Sequence, residues 1–220
     1  MLLVLNPDKL TRQPFFQDLI NYLSENEDVS LRQLKRDFLR VSCLERSLED
    51  YIQAGYILRQ NKRYYLTLSL LLLEDVEGVT LDQQLILDTE SPVYQDLQAL
   101  VFETRLTNKT NEAVLIERTD FERNAPTLSN YFYKMRTGAS LTQKQGQIYN
   151  ILGDVNPDYA LKYMTSFLLK FAKRDLVKQR RSDIFVEVLV LLGYIKEEES
   201  ETYSLQLAFD EEKLSFKEQD

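Results

Sequence analysis

The chain has 220 residues, 44% of them apolar and 11% aromatic, with 27 basic against 35 acidic side chains and a net charge of −8. That composition buries a sizeable core, in one large domain or two small ones, and excludes a disordered chain. A single cysteine, Cys43, excludes an intramolecular disulfide and a thiolate cluster, and the lack of histidine excludes imidazole triads and imidazole metal sites.

The apolar start Met1-Leu2-Leu3-Val4-Leu5 stops at Asn6-Pro7 with no basic segment before it, too short for a signal sequence. The next apolar run, Leu70–Leu73, falls far below membrane-spanning length. The expectation is a cytoplasmic protein in a reducing compartment with no membrane partner. Pro14 then opens a helix in which Phe16, Leu19, Ile20 and Leu23 recur at helical spacing. Ser30 and Gln33 form a capping box, with Val29 and Leu34 placed as a hydrophobic staple, so a second helix starts at Leu31. Ser42 and Glu45 repeat the box pattern. A third helix over residues 43–54 follows, with Leu44, Leu48, Tyr51 and Ile52 as its buried stripe and Gly55 as its stop. Ile57-Leu58-Arg59-Gln60 and Arg63-Tyr64-Tyr65-Leu66 read as a hairpin turned by Asn61-Lys62, because Asn tolerates the positive φ that two-residue turns need.

Residues 71–139 read as a small α+β connector. Val79, Leu81, Leu85 and Leu87 alternate as a strand, residues 92–105 suit a helix, and residues 113–117 suit a strand after a turn at 107–111. Leu128, Tyr131, Phe132 and Met135 mark another helix, whose aromatics read as core packing rather than base-stacking platforms. Thr142 and Gln145 form a further capping box on a helix closed by Gly153. Asn156-Pro157 then starts a long helix lined by Leu161, Met164, Phe167, Leu168 and Phe171. The run from Asp183 to Leu192 is apolar on every side and suits a buried strand as well as a helix. It ends in Gly193-Tyr194-Ile195, as the third helix ends in Gly55-Tyr56-Ile57, and this repeat favours the helix. An alternating strand follows each copy, with Tyr64, Leu66 and Leu68 in the first and Tyr203, Leu205 and Leu207 in the second, one residue later relative to the glycine.

Helix, Gly-Tyr-Ile step and hairpin together resemble the winged helix-turn-helix superfamily over residues 14–68, where the strand ends Tyr64-Tyr65-Leu66-Thr67. The expected fold is mainly α with small β-hairpins, an α+β chain of two winged-helix-like units. These span residues 1–70 and 140–220, the latter with an acidic tail. As a whole the chain also resembles an uncharacterised family of Gram-positive bacterial proteins, a resemblance resting on Gly153-Asp154-Val155-Asn156-Pro157-Asp158-Tyr159-Ala160-Leu161-Lys162-Tyr163-Met164. The superfamily resemblance implies that helix 43–54 is a recognition helix and that Arg59, Lys62 and Arg63 are wing contacts.

Charge is uneven along the chain. Residues 31–65 hold 8 basic against 4 acidic groups and residues 170–181 hold 6 against 1, while the last 39 residues hold 3 against 11. Screening confines each field to roughly 10 Å, so basic stretches can meet polyanions even on an acidic molecule. The candidate contacts to double-stranded DNA are Arg32, Lys35, Arg36, Arg40, Arg46, Gln53, Arg59, Lys62 and Arg63. A second candidate patch is Lys170, Lys173, Arg174, Lys178, Arg180 and Arg181, which equally suits cations complementing the end of the long helix. Against base reading, the solvent face of helix 43–54 also carries Glu45, Glu49 and Asp50, which phosphates would repel. The second hairpin, Lys196-Glu197-Glu198-Glu199-Ser200-Glu201, excludes phosphate contact there.

Enzyme chemistry finds little to use. Six scattered glycines form no phosphate-cradling loop, and Cys43 at a helix start reads as a buried position rather than a reactive thiol. Pairs such as Asp88 with Glu90 and Asp120 with Glu122 lack a second constellation. No catalytic residue, cofactor or metal is expected. Two functions stand: a bacterial DNA-binding, regulatory protein whose C-terminal unit dimerises or recruits a partner, and a tandem winged-helix scaffold that binds proteins without touching DNA.

Overall fold

The computed structural model describes residues 1–218 and has an α+β fold divided into two compact units, Met1–Leu100 and Val101–Asp220. The stretch expected as a separate connector is shared between them.

In the first unit the apolar start forms β1 (Leu2–Leu5), which pairs antiparallel with a strand from the far end of the unit. Helix α1 (Pro14–Glu25) buries Phe16, Leu19 and Ile20 completely, as its spacing requires. The short β2 (Val29–Ser30) leads into α2 (Leu31–Asp37), where Ser30 and Gln33 make the expected capping box. Ser30 Oγ accepts from the Gln33 backbone N–H, and Gln33 Oε1 accepts from the Ser30 N–H at 2.8 Å. Helix α3 (Leu44–Gln53) packs Leu48 and Tyr51 against α1, with the Tyr51 ring 4.9 Å from Phe16 edge-on. Its start corrects one expectation. Ser42 and Glu45 form no box; Cys43 sits at the N-cap with φ 58° and no side-chain cap, and Cys43 is exposed rather than buried. Glu45 turns instead to Lys35, 2.5 Å away, which outcompetes a local cap.

Strands β3 (Ile57–Gln60) and β4 (Arg63–Leu66) are joined by Asn61 and Lys62, both at positive φ (51° and 63°), as a mirror-image two-residue turn demands. They form a three-stranded antiparallel sheet in the order β2-β4-β3. After a 3-10 turn over Leu73–Gly78 come β5 (Leu85–Asp88), which pairs with β1, and α4 (Pro92–Ala99). Val79 and Leu81 lie outside β5. The helix expected over 92–105 stops at Ala99, because Phe102 onward is paired into a sheet of the second unit.

The second unit opens with β6 (Phe102–Leu106) and β7 (Val114–Thr119), followed by α5 (Leu128–Thr137), α6 (Gln143–Leu152) and α7 (Pro157–Leu168). The Thr142–Gln145 capping box and the Asn156 cap before Pro157 form as expected. A 3-10 segment (Leu169–Lys173) and β8 (Leu176–Lys178) lead to α8 (Ile184–Leu191), so the all-apolar run is a helix. Its Val188 and Leu189 are fully buried. Strands β9 (Ile195–Glu199) and β10 (Thr202–Leu205) form the second hairpin, in a sheet ordered β8-β10-β9. The expected acidic tail is structured: β11 (Leu207–Asp210) and β12 (Ser215–Glu218) continue the sheet of β6 and β7 in the order β11-β12-β7-β6, with β12 parallel to β7.

The repeat survives at the level of single hydrogen bonds. At the end of α3 the Gly55 N–H bonds Ile52 O, the Tyr56 N–H bonds Tyr51 O, and Thr67 N–H returns to Tyr56 O. At the end of α8 the matching bonds are Gly193 to Val190, Tyr194 to Leu189, and Gln206 to Tyr194. Both glycines hold positive φ, 80° and 75°, the left-handed position of a Schellman stop. The second hairpin's one-residue offset is a bulge: Thr202 opposes Glu199 but Tyr203 opposes Glu197, leaving Glu198 unpaired. The copies also differ before the last helix. Between β8 and α8 there is a loop where the first unit has α2, so the second unit has no counterpart of the helix carrying Arg32, Lys35 and Arg36.

Candidate functional site

The nine candidate residues of the first unit lie on α2, the turn after it, α3 and the β3–β4 hairpin, and all but the half-buried Arg63 are exposed. Four of the eight cations are tied to carboxylates. Lys35 Nζ meets Glu45 at 2.5 Å, Arg36 Nε meets Asp37 at 2.7 Å, Arg59 Nη1 meets Glu49 at 2.6 Å and Arg63 Nε meets Asp28 at 2.8 Å. Arg36, then Tyr22 whose hydroxyl donates at 2.7 Å, hold the Asp37 carboxyl down at about 2. Arg59 is held above its ordinary value by its Tyr64 contact and then by Glu49. Among the described residues Arg32, Arg40, Arg46 and Lys62 make no ion pair. Exposed pairs contribute only about 0–1 kcal/mol and can be traded for phosphate. What they change is the field: two pairs use carboxylates of α3 itself, so its outer face carries little net positive charge.

The second patch is arranged differently from the expectation. Lys170 and Lys173 lie in the 3-10 segment after α7, where the Lys170 ammonium stands 4.6 Å from the Phe167 ring; Arg174 follows it, and Lys178 is on β8. Arg180 and Arg181 precede the N-terminus of α8, the end at which a helix dipole disfavours cations. Complementing one helix end therefore does not explain this cluster. All six are exposed, and none makes an ion pair among the described residues.

Aligning the two Gly-Tyr-Ile steps places the solvent positions Arg46, Glu49 and Gln53 of α3 at Ile184, Glu187 and Leu191 of α8. Ile184 and Leu191 are 44% and 40% exposed, and Val190 joins them at 37%. A helix hydrophobic all round suits burial inside its own unit and burial against a partner equally, and gives no amphipathic signal to separate its outer face from its inner one. The outer face opens at its C-terminal end on a crevice of about 470 Å³ lined by Pro126, Gln147, Ile148, Leu191 and Leu192. The Glu197, Glu198 and Glu199 side chains of β9 are exposed, on a hairpin whose tip runs back beside β8.

No group of three or more His, Cys, Asp or Glu side chains among the described residues could hold a metal, and none of the described helices is long and apolar enough to cross a membrane. Residues 3–100 match a family described as a domain of unknown function (DUF1803), a span that nearly coincides with the first unit. No curated protein and no solved structure matches the chain.

Proposed function

We propose that this chain is a non-enzymatic cytoplasmic scaffold of two winged-helix-like units, and that the second unit self-associates through α8. The observation that carries the reading is the exchange of Arg46 and Gln53 on α3 for exposed Ile184 and Leu191 on α8. A helix face built for solvent or phosphate does not expose a stripe of large aliphatic side chains; an interface core does. The acidic hairpin tip folds back beside the basic stretch before α8, where Thr202 pairs with Lys178 as well as Glu199 and the Gln179 N–H bonds Glu201 O. Two copies of α8 packed antiparallel about a two-fold axis bring Ile184 of each against Leu191 of the other. In the same arrangement Ile184 of a second copy meets the crevice beside Leu191.

Sedimentation velocity tests this. Wild type is expected to form a dimer at micromolar concentration, and Ile184→Glu with Leu191→Glu to be monomeric with an unchanged far-UV spectrum. A wild-type chain still monomeric at about 100 μM, where even a weak dimer of roughly −5 kcal/mol would begin to populate, sinks the proposal.

DNA binding by the first unit is the second reading, favoured by the unpaired cations Arg32, Arg40, Arg46 and Lys62 on a helix, turn, helix and hairpin tip. With about four phosphate contacts, log affinity for random duplex falls with log salt at a slope near −4. Lys62→Glu with Arg46→Glu is expected to weaken binding uniformly across sequences, as fluorescence anisotropy reads. No binding at about 50 mM salt and micromolar protein removes this reading, since four contacts should still register there.

A further inference from the structure

The Gly-Tyr-Ile repeat runs on past the two hairpins, and there the units part. Counted from the matched N–H groups of Thr67 and Gln206, residues 68–71 correspond to β11 of the second unit. Strand β12 pairs with β11 over four residues, sets the Phe216 ring on that of Phe209 at 4.7 Å, and lies between β11 and β7. The first unit has no strand in that place among the described residues. Residues 68–71 make one backbone hydrogen bond among the described residues, from the Leu71 N–H to Ile86 O of β5 at 3.0 Å. Leu70, the counterpart of Phe209, stays 41% exposed.

What remains is a cleft of about 700 Å³ between residues 67–71 and residues 83–86. Its walls meet at the bond from Leu71 to Ile86. At the other end two long side chains span it, the Tyr56 hydroxyl accepting from Gln84 Nε2 at 3.0 Å, whereas the matching Tyr194 hydroxyl reaches Glu117 on β7. The cleft therefore has the place in the first unit that β12 fills in the second.

Its lining selects the occupant. Leu68, Leu70 and Leu85 give it apolar surface, and Leu72 and Leu73, 55% and 59% exposed, follow directly on the first wall. Glu74 and Asp75 line it too; Asp75 stands one 3-10 turn before Gly78, another lining residue, while Val76 is buried. Neither carboxylate makes an ion pair among the described residues, and residues 64–100 hold seven acidic and no basic side chains. An extended segment with unpaired backbone accepts a strand, and uncompensated carboxylates beside it favour a basic one.

We propose that the cleft receives an extended segment of a partner protein, added as a short strand beside residues 68–70, with an apolar side chain against Leu70 and a lysine or arginine beside Glu74 and Asp75. Backbone hydrogen bonds hold such a segment, and its alternating side chains select it.

Isothermal titration and amide-resonance mapping of the full chain, at about 50 mM salt, test this with four probes. They are the capped heptapeptide Lys-Val-Lys-Leu-Arg-Val-Lys, its fully N-methylated form, the same peptide with glutamate at every basic position, and spermine. The first is expected to bind with a Kd below about 1 mM, shifting resonances of residues 54–56, 67–75 and 83–86, and the other three at least about 10-fold more weakly. Leu70→Ser, and separately Glu74→Gln with Asp75→Asn, should each weaken the first peptide at least about fivefold with an unchanged melting temperature, because all three side chains are exposed. No binding of the first peptide below about 1 mM refutes the site. So does an N-methylated peptide, a glutamate peptide or spermine binding within about twofold of it, or either variant binding it within about twofold of wild type.

Discussion

Glu117 is fully buried on β7, where its two oxygens accept the backbone N–H groups of Leu128 and Ser129 at the start of α5, at 2.9 and 2.8 Å, and the hydroxyl of Tyr194. One carboxyl group thus joins the strand, the N-terminus of a helix and the Gly-Tyr-Ile step. Burial pushes its pKa above the ordinary 4.5 against the opposing pull of those donors, and burial, with Glu117 adding to it, pushes the Tyr194 hydroxyl well above 10. A raised carboxyl pKa means the folded chain favours the protonated form. The stability from that proton is fully present below about pH 4.5, the unfolded value, and is lost as pH rises through the folded value. Glu117→Gln stays neutral throughout. Urea unfolding from pH 4 to 8 should therefore show wild type losing stability relative to this variant, by about 1.4 kcal/mol for each unit by which folding raises the pKa. A difference that is flat with pH, or that moves the other way, contradicts this. No local pattern marks this residue as buried: Glu117 and Tyr194 lie 77 residues apart, and only the Tyr194 end is legible, as part of a repeat.

Local patterns were legible where both partners lie within one turn. The Ser30–Gln33 and Thr142–Gln145 boxes and the Asn61-Lys62 turn form as their spacing implies. Ser42 and Glu45 show the same spacing and fail, because Lys35 offers Glu45 a tertiary partner and Cys43 adopts a left-handed conformation. These cases make a paired prediction. Ser30→Ala and Thr142→Ala should each cost about 1 kcal/mol in chemical denaturation, while Ser42→Ala should cost a few tenths at most, since no cap is lost. Equal losses at all three sites would mean that Ser42 caps α3 in solution. The place of β12 has the complementary reason: the ladder that holds it beside β7 is long-range and parallel, and no local signal encodes that partner. The candidate cations were legible as residue types, but their pairing was not. Glu49 reaches Arg59 and Asp28 reaches Arg63 only once the hairpin folds back beside them.

At the scale of the molecule, the boundary at residue 100 has a physical cause that composition hides. Cutting after residue 70, as the linker reading implies, removes β5 and strands the apolar β1, whose strand partner among the described residues runs Leu85–Asp88. Leu2 and Val4, both 8% exposed and in one apolar cluster with Ile86, would lose that neighbour and four residues of pairing, and the Met1 amino group would lose the Asp88 carboxylate to which it donates at 2.8 Å. An isolated strand with unpaired backbone groups over a small core is a poor fold and an aggregation template. A fragment of residues 1–100 should therefore unfold in one cooperative transition with dispersed amide resonances. Residues 1–70 should lose several kcal/mol, enough to leave so small a domain largely unfolded at 37 °C or aggregated. If both fragments melt alike, the β1–β5 ribbon is an appendage to the three-helix core, and the span of the family match to residue 100 would need a cause other than folding.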